Sequence, residues 1–219
     1  MSYRWTTRYC FAAKVSPWQN PGRLHFTPRQ SPACFCLTRP VRRGPRITVL
    51  SKIGLLSDSH GRAATTRRGV DVLLKQGAEV LIHLGDVGTV EVIDALCVDR
   101  PDNGEQIESH LVFGNTDWDF DALAEYADDL DVAVNHPVGR LPIDGGGELV
   151  FCHGHESGPM QQALDDGARY LCHGHTHAQA DDRQGQTRVI NPGALFRAST
   201  YSVALLDTET DQLMFYEVD

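Results

Sequence analysis

Two stretches decide the fold: Ile53-Gly54-Leu55-Leu56-Ser57-Asp58-Ser59-His60 and Val80-Leu81-Ile82-His83-Leu84-Gly85-Asp86. Each is a short apolar run that stops abruptly at acidic or imidazole side chains. Runs of about five apolar residues, bounded by turn-forming residues, read as buried strands rather than helices. The strands are expected at Ile53–Ser57 and Val80–Leu84, with a third at His110–Phe113. Between and after them lie helix-like stretches: one through Val70-Asp71-Val72-Leu73-Leu74, then Val90–Val98 and Phe120–Leu130. Strands alternating with helices imply βαβ units and a largely parallel sheet.

The second half reads differently. Short apolar runs at Leu149–Cys152, Arg169–Cys172, Thr187–Ile190, Tyr201–Leu206 and Leu213–Tyr216 are separated by Gly, Asp and Asn turns. This half is expected to be strand-rich and to form a second sheet packed on the first.

The polar clusters carry the chemistry, because each follows an apolar run. They are Asp58-Ser59-His60, Gly85-Asp86, Gly114-Asn115-Thr116-Asp117, His153-Gly154-His155 and His173-Gly174-His175-Thr176-His177. In open α/β sheets, ligands bind beyond the carboxyl ends of the strands. Mixed carboxylate and imidazole donors suit Mn, Fe, Ni or Zn, whereas an all-oxygen set suits Mg or Ca. Two such cations about 3.5–4 Å apart can share a hydroxide and clamp a phosphoryl group. Singly, each cluster is a weak signal, since Asp-x-His and Gly-Asp arise by chance and His-x-His is common on a polar strand face.

Taken in order from Asp58 to His177, the set resembles the calcineurin-like metallophosphoesterase superfamily. The relevant pattern is Asp-x-His, Gly-Asp, Gly-Asn-His-Asp/Glu, His, and Gly-His-x-His. The resemblance covers about residues 53–219. The Gly174-His175-Thr176-His177 string and the Asn191-Pro192-Gly193 turn look like its small bacterial and archaeal phosphodiesterase branch. It implies an α/β fold of two packed β-sheets flanked by helices, in four αββα layers. It also implies that Asp58, His60, Asp86 and His177 hold one divalent metal. Asp86 would bridge to a second, completed by Asn115, His153 and His175. Asp86 and Asn115 are thereby expected to be catalytic as well as ligating. Manganese is the expected ion, with Ni, Fe or Zn as alternatives. The implied reaction is in-line attack on phosphorus by a hydroxide bridging the metals, with no covalent protein intermediate. His155 has no ligand role in that scheme; contact with substrate, support of a ligand and a plain surface position are its three readings. Asp117 is expected to orient the loop or a ligand histidine. His173 is read as structural, His83, His110 and His136 show no partner pattern and are read as ordinary, and Gly85, Gly114 and Gly174 are read as backbone hinges.

One position departs from the pattern. Thr116 stands where many members of the superfamily carry a histidine that assists the leaving group, although the small branch often lacks that histidine, usually having Cys. A threonine hydroxyl cannot act as a general acid near neutral pH, so activated diesters such as aryl phosphates should react best. The rival functions are a non-catalytic metal-binding interaction scaffold, as the retromer subunit of this fold is, and a nuclease. Retention of all seven ligands favours an enzyme over a scaffold.

Composition narrows the remaining choices. Hydrophobic residues make up 41% and charged residues 22%, ordinary for a globular protein. No apolar run approaches the ~20 residues of a membrane-spanning helix. Residues 1–57 hold ten Lys or Arg and no acid, which leaves ten basic and all 29 acidic residues in 58–219, a balance of −19. Such a body repels nucleic acid and membrane phosphate, which counts against a nuclease on a polymer. Molar salt would screen its self-repulsion, and the scarcity of Lys beside the acid excess favours a salt-rich cytoplasm. Cys152 and Cys172 end apolar runs and are expected as buried thiols, consistent with a cytoplasmic protein. The expected partner is a small phosphate-ester substrate; a homodimer is one option for assembly. Residues 49–219 are expected to form the metallophosphoesterase domain. Residues 1–48 contain six of the eleven prolines and show no apolar periodicity. They read as a stretch upstream of the true start site, or else as a disordered basic tail, in preference to a transit peptide or twin-arginine signal.

Overall fold

In the computed structural model of the chain, the residues described are 51–143 and 145–219; the expectations for 1–48 lie outside them. The described chain runs β1 (Lys52–Leu56), α1 (Ala63–Lys75), β2 (Val80–His83), α2 (Val90–Leu96), β3 (Glu108–Leu111), α3 (Phe120–Asp129), β4 (Ala133–Val134) and β5 (Val138–Pro142). It continues through β6 (Glu148–Cys152), α4 (Ser157–Asp165), β7 (Tyr170–Cys172), β8 (Gln179–Gln184), β9 (Thr187–Pro192), β10 (Ser202–Asp207) and β11 (Gln212–Glu217). No described helix is long and apolar enough to cross a membrane.

The strands make two sheets, one ordered β11-β10-β1-β2-β3-β4 and the other β5-β6-β7-β9-β8. Strands β1 to β4 are parallel, as their helical connections require. Side chains on a strand alternate between faces, and here the two parities feed different cores. Ile53 and Leu55, Val80 and Ile82, Leu149 and Phe151, and Tyr170 and Cys172 fill the space between the sheets. Leu56, Leu81 and Leu111 face the other way, onto Val70 and Leu73 of α1, Val92 and Ile93 of α2 and Leu123 of α3. Val150, Cys152 and Leu171 meet Ala163 and, at its edge, Met160 and Leu164 of α4. The result is the expected four layers, helix on sheet on sheet on helix.

Several features differ from expectation, among them the strands β4 and β5, which no apolar run announces. β10 and β11 join the first sheet rather than the second, β10 antiparallel to β1 and β11 antiparallel to β10. Apolar content alone could not assign them, because Ala204 and Leu206 serve the inter-sheet core from either sheet. α4 falls in a half expected to be strands and turns; its sequence Ser-Gly-Pro-Met-Gln-Gln-Ala-Leu-Asp carries only one fully buried side chain, Ala163, so its apolar signal is faint. β8, Gln-Ala-Asp-Asp-Arg-Gln, is an edge strand with no apolar alternation, held by its antiparallel register to β9.

Register positions the site. Leu56, His83 and Leu111 are level across β1, β2 and β3, so the loops beginning just beyond them emerge side by side. Phe151 is level with Cys172 on β6 and β7, which brings His153 and the His173–His177 segment to the same edge.

Candidate metal centre

The loop after each strand turns back sharply, and the backbone records it. Asp58, His60, Asp86, His175 and His177 all have positive φ, between 42° and 66°. Non-glycine residues rarely adopt this region, and clusters of them mark functional sites. Glycines make the convergence possible at two places. A Cβ at Gly114 would collide with the Asp86 carboxylate, and one at Gly174 would collide with Ser57 Oγ. Both were expected to be hinges, and both act by close approach of backbone to side chain.

One donor atom each from Asp58, His60, Asp86 and His177 lies within 4.8 Å of the others, a spacing that could hold a metal ion. His60 Nε2 is 3.3 Å from Asp86 Oδ2, and His177 Nε2 is 3.3 Å from Asp58 Oδ1. Asp58 is fully buried and Asp86 nearly so. Asp58 Oδ1 and His60 Nε2 are buried without a hydrogen-bond partner. Buried polar atoms left this way are costly unless something satisfies them, and a cation at the centre of the four would. Burial pushes the Asp58 carboxyl up, offset in part by His153 and His177. Burial also opposes ionisation of Asp86, yet hydrogen bonds with His153 and the Thr116 N–H outweigh it and hold that carboxyl below the ordinary range.

The second expected set is arranged around His153. Its Nδ1 lies 2.8 Å from the Leu84 carbonyl, which can only accept, so Nδ1 carries the proton. Nε2 then points at Asn115 Oδ1, 3.2 Å away, and at Asp86 Oδ1, 3.5 Å away. Three acceptors facing one another require either a second proton on the ring or a cation among them. Burial disfavours that proton, but Asp86 and the Leu84 carbonyl outweigh it and raise the His153 pKa. His175 approaches through its ring, 5.2 Å from that of His153 between centroids, and its backbone N–H donates to Asp58 Oδ2 at 3.1 Å. Burial and the neighbouring His153 lower its pKa. The donor types and spacing of Asp58, His60, Asp86 and His177 fit a divalent cation, and the other Asp86 oxygen faces His153.

The supporting residues divide into those expected and those not. Asp117 orients the loops: its carboxylate accepts N–H bonds from Val87 at 3.1 Å, Gly88 at 2.7 Å and Gly114 at 2.8 Å. Thr116 donates its backbone N–H to Asp86 Oδ1 at 3.0 Å, and its hydroxyl lies 3.4 Å from His60 Nδ1. His155 is exposed, its ring 5.4 Å from His153 and 6.2 Å from His175. His173 packs behind the site, with Nδ1 near the Gly174 carbonyl.

His83 was read as having no partner pattern, and the structure corrects this. It is fully buried, its Nδ1 accepts the Gly85 N–H, and its Nε2 therefore donates to Ser59 Oγ at 2.8 Å. Burial drives its pKa down to about 3, so the ring is neutral. It props Ser59 between the ligands Asp58 and His60. His110 and His136 also have partners: His110 bonds Asn135 and Glu108, and His136 accepts the Phe113 N–H. Sequence reasoning also passed over Phe196, whose ring lies 5.2 Å from that of His60. Its position just after the Asn191-Pro192-Gly193 turn was the available signal.

Residues 52–211 match the calcineurin-like phosphoesterase superfamily domain. Among curated proteins the chain is similar to phosphodiesterase MJ0936 of Methanocaldococcus jannaschii, at 26% identity over 72% of this chain and 93% of that one. It is similar also to phosphodiesterase YfcE of Escherichia coli K12, at 26% identity over 67% and 80%. Among solved structures it resembles a novel archaeal phosphodiesterase with a TM-score of 0.66 and 23% identity, over 76% of this chain and 99% of that one. A single-mutant Vps29 from Entamoeba histolytica shares the fold with a TM-score of 0.51 and 18% identity, over 77% and 99%. The chain belongs to the calcineurin-like phosphoesterase superfamily and is a metal-dependent phosphoric ester hydrolase.

Proposed function

From its membership of this superfamily we propose that the chain is a phosphodiesterase for small, activated phosphate diesters, working at a dinuclear centre of manganese or a similar ion. The reading rests on one observation: Asp58 Oδ1 and His60 Nε2 are buried without a hydrogen-bond partner, in a cluster with Asp86 and His177 whose donor atoms lie within 4.8 Å of one another. When bound, the cations would supply a hydroxide shared between them and neutralise charge on the phosphoryl group.

The chain's own residues do the rest. Asp58, His60 and His177 would hold one ion, Asn115, His153 and His175 the other, and the Asp86 carboxylate would serve both. The Leu84 carbonyl fixes the His153 tautomer, so that Nε2 is free to ligate. Thr116 Oγ1 can accept a proton bond from His60 Nδ1 but cannot deliver a proton to a leaving group at neutral pH. The leaving group must therefore depart as a stable anion. The names of the two curated relatives support diesters over monoesters. Free, buried Cys152 and Cys172 suit a reducing compartment such as the cytoplasm.

The test is a rate comparison with manganese-loaded protein on bis-p-nitrophenyl phosphate and p-nitrophenyl phosphate. The diester should react faster by about ten-fold or more. Faster monoester hydrolysis would overturn the preference, and metal binding without turnover would favour the scaffold reading, for which the Vps29 likeness is the relevant precedent of fold.

A further inference from the structure

Beside the metal centre stands a small cationic surface. Phe196, 5.2 Å from His60 between ring centroids, carries the Arg62 guanidinium 4.7 Å from its centroid and that of Arg197 at 5.1 Å. Both arginines are exposed. Other arginines of this acidic body find oxygen partners: Arg100 pairs with Asp102, Arg140 with Glu148 and Asp166, and Arg188 with Asp181 and Asp211, while Arg67 bonds the Asp94 carbonyl and Arg68 the Thr65 hydroxyl. Among the described residues, Arg62 and Arg197 form no ion pair and no side-chain hydrogen bond; the aromatic ring is their partner.

That difference has chemical consequences. A guanidinium laid on a ring keeps its charge and is held in place, while its N–H edge stays free for an anion that offers two oxygens. Phosphate oxygens match that fork. Arg62 also precedes α1, a helix of 13 residues with no acid in its first turn, so the helix end adds positive potential at the same spot. Arg197 has φ of 50°, a conformation uncommon outside Gly, Asn and Asp, and this fixes where its side chain starts.

Resting on the phosphodiesterase reading of the adjoining centre, we propose that Arg62 and Arg197, plated on Phe196, bind a second phosphate of the substrate. The scissile ester lies on the metals and the neighbouring phosphate on the two guanidinium groups. The substrate class is then a diester that carries a further phosphate close to the bond cleaved, such as a nucleoside bisphosphate ester.

Two matched esters test this: the 5′-p-nitrophenyl ester of thymidine 3′,5′-bisphosphate, and its counterpart lacking the 3′-phosphate. Wild-type protein with manganese should favour the first in kcat/KM by at least about ten-fold, and in Arg62→Gln/Arg197→Gln the ratio should fall to near one. A wild-type ratio near one, or an unchanged ratio in the variant, overturns the assignment. The subsite is read separately by calorimetric titration of inorganic pyrophosphate into chelator-treated protein, whose acidic centre repels anions. Binding that the variant loses by about ten-fold supports the subsite; no binding, or equal binding by the variant, overturns it. If neither ester is hydrolysed, the phosphodiesterase reading fails while the titration still decides the subsite.

Discussion

Nε2 of His153 lies 3.2 Å from Oδ1 of Asn115, acceptor against acceptor, because Nδ1 of the same ring is committed to the Leu84 carbonyl. Without metal, a proton on Nε2 relieves this, and the raised His153 pKa says that the proton is held more tightly than usual. Metal and proton therefore compete for one atom.

The first prediction follows from the sign of that shift. The protonated ring predominates below its raised pKa, so metal affinity should fall as pH falls through that range and level off above it. The loss should reach about ten-fold per pH unit for each proton displaced. Manganese titrations between pH 6 and 8.5, in buffers of different ionisation enthalpy, count the protons released. Affinity independent of pH would contradict the assigned ligand.

The second concerns Asp86, whose two oxygens face the two ligand sets: Oδ2 toward His60 and Oδ1 toward His153. Asp86→Asn should lower diesterase turnover by at least about a hundred-fold, the upper end of what changes merely supporting a ligand cost. Far-ultraviolet circular dichroism should be unchanged. Near-wild-type turnover with intact fold would remove Asp86 from the mechanism.

The third exploits Thr116. Its backbone N–H, which serves Asp86, survives any substitution, so only the side chain is at stake. Thr116→His installs a proton donor and should raise turnover of phenyl phosphate, a monoester with a poor leaving group, by about ten-fold or more. Bis-p-nitrophenyl phosphate, whose p-nitrophenolate departs without a proton, should gain less; an equal gain on both would mean that proton donation is not the missing element.

The fourth concerns Asp117. Its carboxylate satisfies three N–H groups in two ligand loops, and Asp117→Ala strands them. Stability should drop by about 2–4 kcal/mol in urea unfolding, given the cost of orphaned buried donors. Asp117→Asn keeps one acceptor and should lose less. Equal losses would show that volume, not hydrogen bonding, sets the cost.

These particulars also show what the sequence could reveal. The strand ends were legible because an apolar run that halts at Asp58, Asp86 or His153 carries both a structural and a chemical signal. Asp58, His60, Asp86 and His177 converge as their order implied. β8 and α4 were not legible, since pairing with β9 and a single buried Ala163 hold them where local pattern is nearly silent. His83 and Phe196 were missed for another reason. Each acts through a neighbour distant in sequence, and no spacing rule connects His83 to Ser59 or Phe196 to His60.

The most direct test of the account is the number of metal ions held per chain. Protein stripped with chelator and dialysed to equilibrium against excess manganese should retain close to two equivalents by elemental analysis, and Asp86→Asn should retain fewer. One equivalent or none in the wild-type protein would contradict a dinuclear centre.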